Sequence, residues 1–386
     1  MTARKENSYD ALIVGAGVIG LACAWRAACA GARVCVLERD YPAAGATGVA
    51  AGMLAPVGEA SWGEERLLSL NLDSLRRWPD FARELEADAG DEVGYAECGA
   101  LHVALDRDEA EALRRRHELH RRLGLESEWL RGSECRRVEP GLATAVRSGV
   151  HARHEAAVDP RRLAGALLAA LERRGVPVAT GAEVVAAERD TDTWRLTTAD
   201  RRDLAASIVV LASGAWSGGA GWLPAEVRVP VRPVKGEILT LRGISQQPVC
   251  EGIVAGERVY VVPRGDGRLI VGATVEEAGF DTTVTAGGVL ELLREAYRLL
   301  PEIAELELAE TAAGVRPGTP DNAPLIGLGA AGLIVATGHF RNGVLQAPVT
   351  ADSVVALLEG KEPPHDLDPF SPLRFASEPA VAEAVR

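Results

Sequence analysis

A strand, a glycine turn, a helix and a second strand open the chain between Tyr9 and Glu38, and few sequence patterns restrict a fold as tightly. Ala11–Val14 is a short apolar run of strand character. It breaks into Gly15-Ala16-Gly17-Val18-Ile19-Gly20; an alanine-rich helical run follows to Gly31, and the β-branched run Arg33–Leu37 ends at Glu38. The G-x-G-x-x-G spacing, its flanking elements and an acidic residue about twenty positions on are together the fingerprint of a dinucleotide-binding unit. Gly15 permits the tight turn, Gly17 lets backbone approach a pyrophosphate, and Gly20 lets helix and strand pack closely. The helix N-terminus offers unpaired N–H groups to the phosphates. Glu38 can accept hydrogen bonds from both hydroxyls of an adenosine ribose, and its charge repels a 2′-phosphate. FAD and NAD both satisfy the pattern.

At 386 residues the chain is long enough for two or three structural units with a large core. A net charge of −13 argues against nucleic acid or an anionic membrane surface as a main partner. No apolar run approaches the ~18 residues of a membrane span. The charged opening Met1–Asp10 leads straight into the first strand, so neither a signal nor a transit peptide is expected, and the expected compartment is the cytoplasm. Cys23, Cys29, Cys35, Cys98, Cys135 and Cys250 form no C-x-x-C pair and no zinc-like cluster with histidine, so a reduced chain without metal is expected.

After Glu38 the small-residue segment Ala43–Pro56 can lie flat against a bulky group, which suits a loop carrying a long cofactor onward. Glu64–Ala89 reads as an amphipathic helix that Pro79 kinks or divides. Cys98–Leu105 alternates as a strand. Arg107–Leu123 reads as a charged helix, with Arg114, Arg115, Arg116, Arg121 and Arg122 on a solvated face. Asp159-Pro160 starts a helix over Arg161–Arg174. Strands are expected around Val184–Ala187 and Trp194–Thr197, and the fully apolar Ser207–Ala212 suits a buried parallel strand. From Val229 to Val275 the pattern alternates, with antiparallel strands at Glu237–Leu241, Arg258–Val262 and Arg268–Val271. A helix follows over Gly288–Leu300. Gly332–Thr337 is another apolar strand, ending in Gly338-His339-Phe340-Arg341-Asn342-Gly343 and a helix to about Glu359. The tail from Lys361 is expected to dock loosely and fray.

These pieces imply an α/β fold. A Rossmann-like domain with a central parallel sheet is expected from 1–90, 150–225 and 312–365. A second, α+β domain with a mixed or antiparallel sheet takes 91–149 and 226–311, and 366–386 forms a tail.

The opening GAGVIG with Glu38, the run Ala50–Leu54, Val231–Glu237, Tyr260–Arg264, Gly314–Gly327 and Gly338–Gly343 occur here in one order. Together they resemble the D-amino-acid oxidase family of flavoproteins, and most of all its glycine oxidase branch, associated with making the thiazole half of thiamine. The resemblance covers about residues 9–360 and implies non-covalent FAD under an antiparallel roof. It implies that Gly15, Ala16, Gly17, Val18, Ile19 and Gly20 take the pyrophosphate, with Glu38 and Arg39 at the ribose. Ala51, Gly52 and Met53 would run beside the ring, Val184 near the adenine, and Thr47, Ala212, Gly214 and Trp216 along the cofactor. Arg341, Asn342, Gly343, Val344 and Leu345 would address the pyrimidine end through backbone groups, with Gly338 and His339 also placed at the cofactor.

Within the same motifs, Arg316 is expected to grip a substrate carboxylate bidentately from a stiff turn, Gly314–Gly318, and Tyr260 to donate its hydroxyl to it. Arg341 is a further candidate for that carboxylate or for bracing the flavin, and Lys235 for a place near the flavin edge or the oxygen-reaction side. His339 reads as structural. Val275 and Arg258 stand where relatives carry other residues, and are expected to resize the pocket. The implied activity is oxidative deamination of glycine, sarcosine or small D-amino acids. Hydride goes to the flavin and electrons to O2, giving an imine, then glyoxylate, ammonia and hydrogen peroxide. The implied partners are that substrate and O2, with no nucleic acid or membrane, in a homo-oligomer. A dehydrogenase using another acceptor, a non-catalytic flavoprotein subunit and an NAD enzyme are the alternatives.

Overall fold

The computed structural model describes residues 8–243 and 248–376. Its first sheet has eight strands, and the strand Ser8–Val14 lies in its middle. That strand runs parallel to Asp203–Leu211 on one side and to Val34–Leu37 on the other. Leu333–Thr337 continues the parallel order beyond Asp203–Leu211. Ala11, Leu12 and Ile13 are fully buried, so the strand carries an unbroken apolar run instead of alternation. The helices Val18–Cys29, Pro160–Arg173, Ala347–Leu358 and Glu65–Ala89 bury Trp25, Leu163, Val354 and Phe81 in one core against this sheet.

The second sheet also has eight strands: Glu307–Gly318, Arg232–Arg242, Arg268–Gly272, Tyr260–Pro263, Ile253–Ala255, Ala100–Ala104, Ser148–Ala152 and Glu128–Arg131, in that order. All neighbours are antiparallel except Ile253–Ala255 beside Ala100–Ala104, so the sheet is mixed. The strands Glu307–Gly318 and Ser148–Ala152 each stay whole within it, across the expected boundaries at 312 and 150. The helix Ala286–Leu299 closes its outer face with Leu292, Ala296 and Leu299.

Three elements differ from expectation. Pro79 does not divide its helix, which runs unbroken over Glu65–Ala89. An interior proline costs about 3 kcal/mol. Trp78, Phe81 and Leu85 are each 0% exposed and contribute about 1.5–3 kcal/mol apiece. Residues 314–318 form no turn; they end the long strand Glu307–Gly318, with Pro317 opposite Pro233 on the sheet edge, where a missing N–H is tolerated. The tail is docked rather than loose through residue 376, since Phe370 and Phe375 are buried and Arg374 pairs with Asp321. Residues 377–386, where fraying was expected, lie outside the described residues.

Candidate active site

A cavity of about 830 Å³ runs between the two sheets, lined at one end by the glycine turn and at the other by Tyr260 and Arg316. Gly15 holds φ +108°, and a Cβ on Gly20 would lie 1.9 Å from the Gly15 carbonyl oxygen. Both glycines are therefore demanded by backbone geometry. Glu38 Oε2 accepts from the Ala16 N–H at 2.7 Å and Oε1 from the Asp40 N–H at 2.9 Å, tying the turn to the end of the second strand. Thr47 Oγ1 accepts from Val18 N–H at 3.0 Å, fastening the small-residue segment to the first turn of the helix. Gly20→Val is expected to push helix from strand and give colourless protein, read as the 450/280 nm absorbance ratio; retention of the wild-type ratio would contradict this geometry.

Midway, Gly52 sits at φ +67° with its carbonyl accepting from Val158 N–H at 2.9 Å, and a Cβ there would meet the Val158 oxygen at 2.0 Å. Arg264 donates to the Ala51 carbonyl at 2.5 Å, so the strip 51–53 is pinned from two sides. Across the mouth, Trp216 stacks on Phe280 with ring centres 5.3 Å apart, and the Arg39 guanidinium lies 4.7 Å from the Trp216 ring.

At the far end, the register of Arg232–Arg242 against Glu307–Gly318 decides which side chains face inward. Val234 pairs with Arg316 and Gly236 with Gly314, so Gly236 and Arg316 share a face. A Cβ on Gly236 would lie 2.1 Å from Arg316 Nη1: the guanidinium fills the space that glycine leaves. Arg316 Nη1 also donates to the carbonyls of Lys235 at 3.3 Å and Thr274 at 3.2 Å. Tyr260 lies beside it; burial pushes the phenol pKa up, and the Arg316 charge opposes that rise. Together these two groups can bind a carboxylate.

Lys235 does not approach the cavity. One residue from Gly236, it faces the opposite side of the strand, buried with Nζ 3.0 Å from Glu237 Oε1 and 3.5 Å from Glu276 Oε2. Glu237 Oε1 accepts from Thr285 N–H at 3.0 Å, so this pair braces the start of the helix Ala286–Leu299. Arg258 and Val275 do not line the cavity either, and Val275 is 67% exposed, so neither sets its size.

Of the residues expected at the cofactor, Gly15, Gly17, Val18, Ile19, Glu38, Arg39, Thr47, Ala51, Gly52, Met53, Val184, Ala212, Gly214, Trp216, His339, Arg341, Gly343 and Val344 line the cavity. Ala16, Gly20, Gly338, Asn342 and Leu345 do not. Gly20 is spent on packing; the Leu345 carbonyl turns away to accept from Ser74 Oγ at 2.6 Å and Trp78 Nε1 at 2.9 Å. Asn342 gives its carbonyl to Gln346 N–H at 2.8 Å, and a Cβ on Gly338 would meet Thr319 at 2.6 Å. His339 lines the cavity while its Nε2 meets Thr350 Oγ1 at 3.1 Å, and burial lowers its pKa to about 3.

Sequence reasoning missed Glu59. It follows the small-residue segment, lines the cavity, and ends an uncharged run over 41–58, which was the available signal. Burial pushes its carboxyl pKa up, while the charges of Arg341, Arg116 and Arg316 draw it down. Arg116 is thus no purely solvated residue; it also reaches the Gly58 carbonyl at 3.4 Å.

The family described as FAD dependent oxidoreductase (DAO) matches residues 10–357. The chain belongs to this family. It is 36% identical over 379 residues to "Glycine oxidase" of Geobacillus kaustophilus, covering 97% of this chain and 99% of that protein. The crystal structure of glycine oxidase from that organism superposes with a TM-score of 0.90 at 36% identity, over 95% of this chain and 99% of the other. The "Bifunctional protein ThiO/ThiG" of Synechocystis sp. is 36% identical over 377 residues, which are 96% of this chain but 54% of that protein. Iminodiacetate oxidase from Chelativorans sp. BNC1 gives a TM-score of 0.84 at 28% identity, over 94% of this chain and 98% of the other. This chain is an FAD-dependent oxidoreductase of the glycine oxidase type, with the mixed α/β fold of that group. The cavity lining fits the cofactor, since it takes in the glycine cradle at Gly15 and Gly17, the pinned strip 51–53, and Tyr260 with Arg316. Among the described residues no helix is long and apolar enough to cross a membrane, and no group of His, Cys, Asp and Glu can hold a metal ion.

Proposed function

We propose that this chain oxidises glycine and closely related small amines, sarcosine and small D-amino acids, with O2 as electron acceptor. The observation that supports this most is the convergence of Arg316, Tyr260 and Glu59 at one end of the cofactor cavity. The guanidinium fork and the phenol hold the substrate carboxylate. The amino group then falls toward Glu59, whose raised pKa suits it to receive the ammonium proton. FAD, when bound, accepts the hydride from the amine-bearing carbon and delivers the electrons to O2. The C–H bond breaks with its electron pair and a C=N bond forms; water then releases ammonia. Glycine, O2 and water become glyoxylate, ammonia and hydrogen peroxide.

In this reading Gly15 and Gly17 face the pyrophosphate, Glu38 the ribose and Val184 the adenine, while Ala51–Met53 and Gly214 run beside a non-covalently held ring. Arg341, Gly343 and Val344 address its pyrimidine end. The first sheet with its helices is the cofactor domain and the second sheet the substrate domain. The likeness to the ThiO/ThiG protein supports delivery of the imine to thiazole formation. Glycine is expected to bleach the purified yellow protein anaerobically, and air to restore the colour with one peroxide per glyoxylate. Flavin that stays oxidised with glycine, sarcosine and D-alanine alike would overturn the proposal.

A further inference from the structure

The loop that delivers Glu59 rests on a buried carboxyl group from a distant part of the chain. Glu155 is 1% exposed, and its Oε1 accepts from the Gly58 N–H at 2.7 Å, with the neighbouring Val57 N–H also favouring its charged form. Arg116 holds the Gly58 carbonyl from the other side at 3.4 Å. Residue 58 therefore has both its donor and its acceptor committed, and the next residue is Glu59. There is no slack beneath it: a Cβ on Gly58 would lie 2.0 Å from His102 Nε2. Within the loop, Glu59 N–H bonds to the Ala55 carbonyl at 3.2 Å and Ala60 N–H to that of Val57 at 3.1 Å.

Glu155 itself is firmly mounted. Its carbonyl accepts from Gly99 N–H at 2.8 Å, and the following residues, Ala156–Ala157, pair antiparallel with Met53–Leu54, of which Met53 lines the cavity. One side chain thus ties the strip that passes the cofactor to the loop that carries the acid.

We propose that Glu155 is a positioning residue for the amine end of the site, acting as a neutral carboxyl group that fixes the 57–58 backbone and so sets where the Glu59 carboxylate stands. The claim rests on the glycine-type reading above. Neutrality follows from the surroundings. Oε2 has no hydrogen-bond partner, no cation among the described residues is paired with the group, and the nearby charge is the like charge of Glu59. Burial pushes the Glu155 pKa up to about 8, with Glu59 adding to the rise against the two backbone N–H donors. His102 beside the loop is held uncharged, its pKa lowered to about 3 by burial, with Arg116 and His120 acting in the same sense. A neutral acceptor is also what glutamine supplies.

The test uses holoenzyme of wild type, Glu155→Gln and Glu155→Leu. Two readouts are compared: KM for glycine, and Kd for acetate, a carboxylate without an amine, from the flavin absorbance change. Glu155→Leu is expected to raise the glycine KM tenfold or more while acetate Kd stays within twofold, because Arg316 and Tyr260 are mounted on strands of the second sheet and not on this loop. Glu155→Gln is expected to remain within threefold of wild type on both. Arg116→Met, which frees the Gly58 carbonyl without opening the core, is expected to raise glycine KM in the same direction, and it decides the matter if the leucine variant yields no holoenzyme. Unchanged glycine KM in Glu155→Leu, a parallel loss of acetate binding, or equal damage from glutamine and leucine would each overturn the proposal. If leucine gives no holoenzyme, an unaltered KM in Arg116→Met does so. Wild type that glycine fails to reduce would instead refute the proposed activity, and this inference with it.

Discussion

Arg316→Ala is expected to lower kcat/KM for glycine by roughly 30- to 5,000-fold, or about 2–5 kcal/mol, while the flavin content stays at the wild-type level. The size follows from what is left behind. The substrate carboxylate would be left with Tyr260 as its remaining donor, and an unpaired charge away from water is far more costly than a lost surface contact. The flavin is retained because the glycine cradle, Glu38 and the pinned strip 51–53 lie elsewhere along the cavity. Arg316→Lys is expected to rescue partially at best, since an ammonium cannot reproduce a planar fork. Tyr260→Phe removes one neutral donor and is expected to cost about 1 kcal/mol, near fivefold. Steady-state kinetics on flavin-replete protein checks all three; wild-type efficiency in Arg316→Ala would remove the basis for the substrate assignment.

The second large effect is on stability in acid. His102, His120 and His339 are 7%, 1% and 2% exposed, and burial lowers their pKa values to about 3, 4 and 3. An unfolded histidine titrates near 6.5. Below that pH the unfolded chain takes up protons that the folded chain refuses, so stability present above about pH 6.5 is lost as pH falls toward 3–4. Glu155 works in the opposite direction. Its folded pKa of about 8 lies above the ordinary 4.5, so its contribution is complete below pH 4.5 and is lost as pH rises through 8. At pH 5 the three histidines outweigh Glu155 by about two protons, a slope of roughly 3 kcal/mol per pH unit. These four groups together place the stability maximum close to pH 7, with a shallow decline toward 8 and a steep fall toward 5. Denaturant titrations at pH 5, 6, 7 and 8 read this directly, and equal midpoints at pH 5 and 7 would refute it.

The parts of this protein that were legible in its sequence are those whose cause is local. The Tyr9–Glu38 unit declares itself because turn, helix start and acidic terminus lie within thirty residues of one another. Asp159-Pro160 behaves likewise: the Asp159 side chain accepts from the Arg161 and Arg162 N–H groups, as its cap position dictates. Arg316 was recognisable as a residue but not in its conformation. The Pro317-Gly318 pair has the chemistry of a turn, and only the long partner strand Arg232–Arg242 makes it the end of a strand. Lys235 was misplaced for a related reason. Which parity of a strand faces the cavity is decided by sheet packing, and it cannot be read from a single charged residue. Glu59 left only the end of an uncharged run as its signal, and Glu155 left none, since its side chain meets Gly58 across 97 residues of sequence and the two share no motif.

The empty place at Gly236 has a further consequence. The tip of the Arg316 guanidinium occupies the volume of a methyl group that residue 236 does not have. The depth at which the fork sits, and hence the length of acid that reaches from fork to ring, is governed by the opposite strand through a single hydrogen atom. An added carbon there would shift the grip forward along the cavity, leaving less room for substrate before any residue that touches it had changed identity.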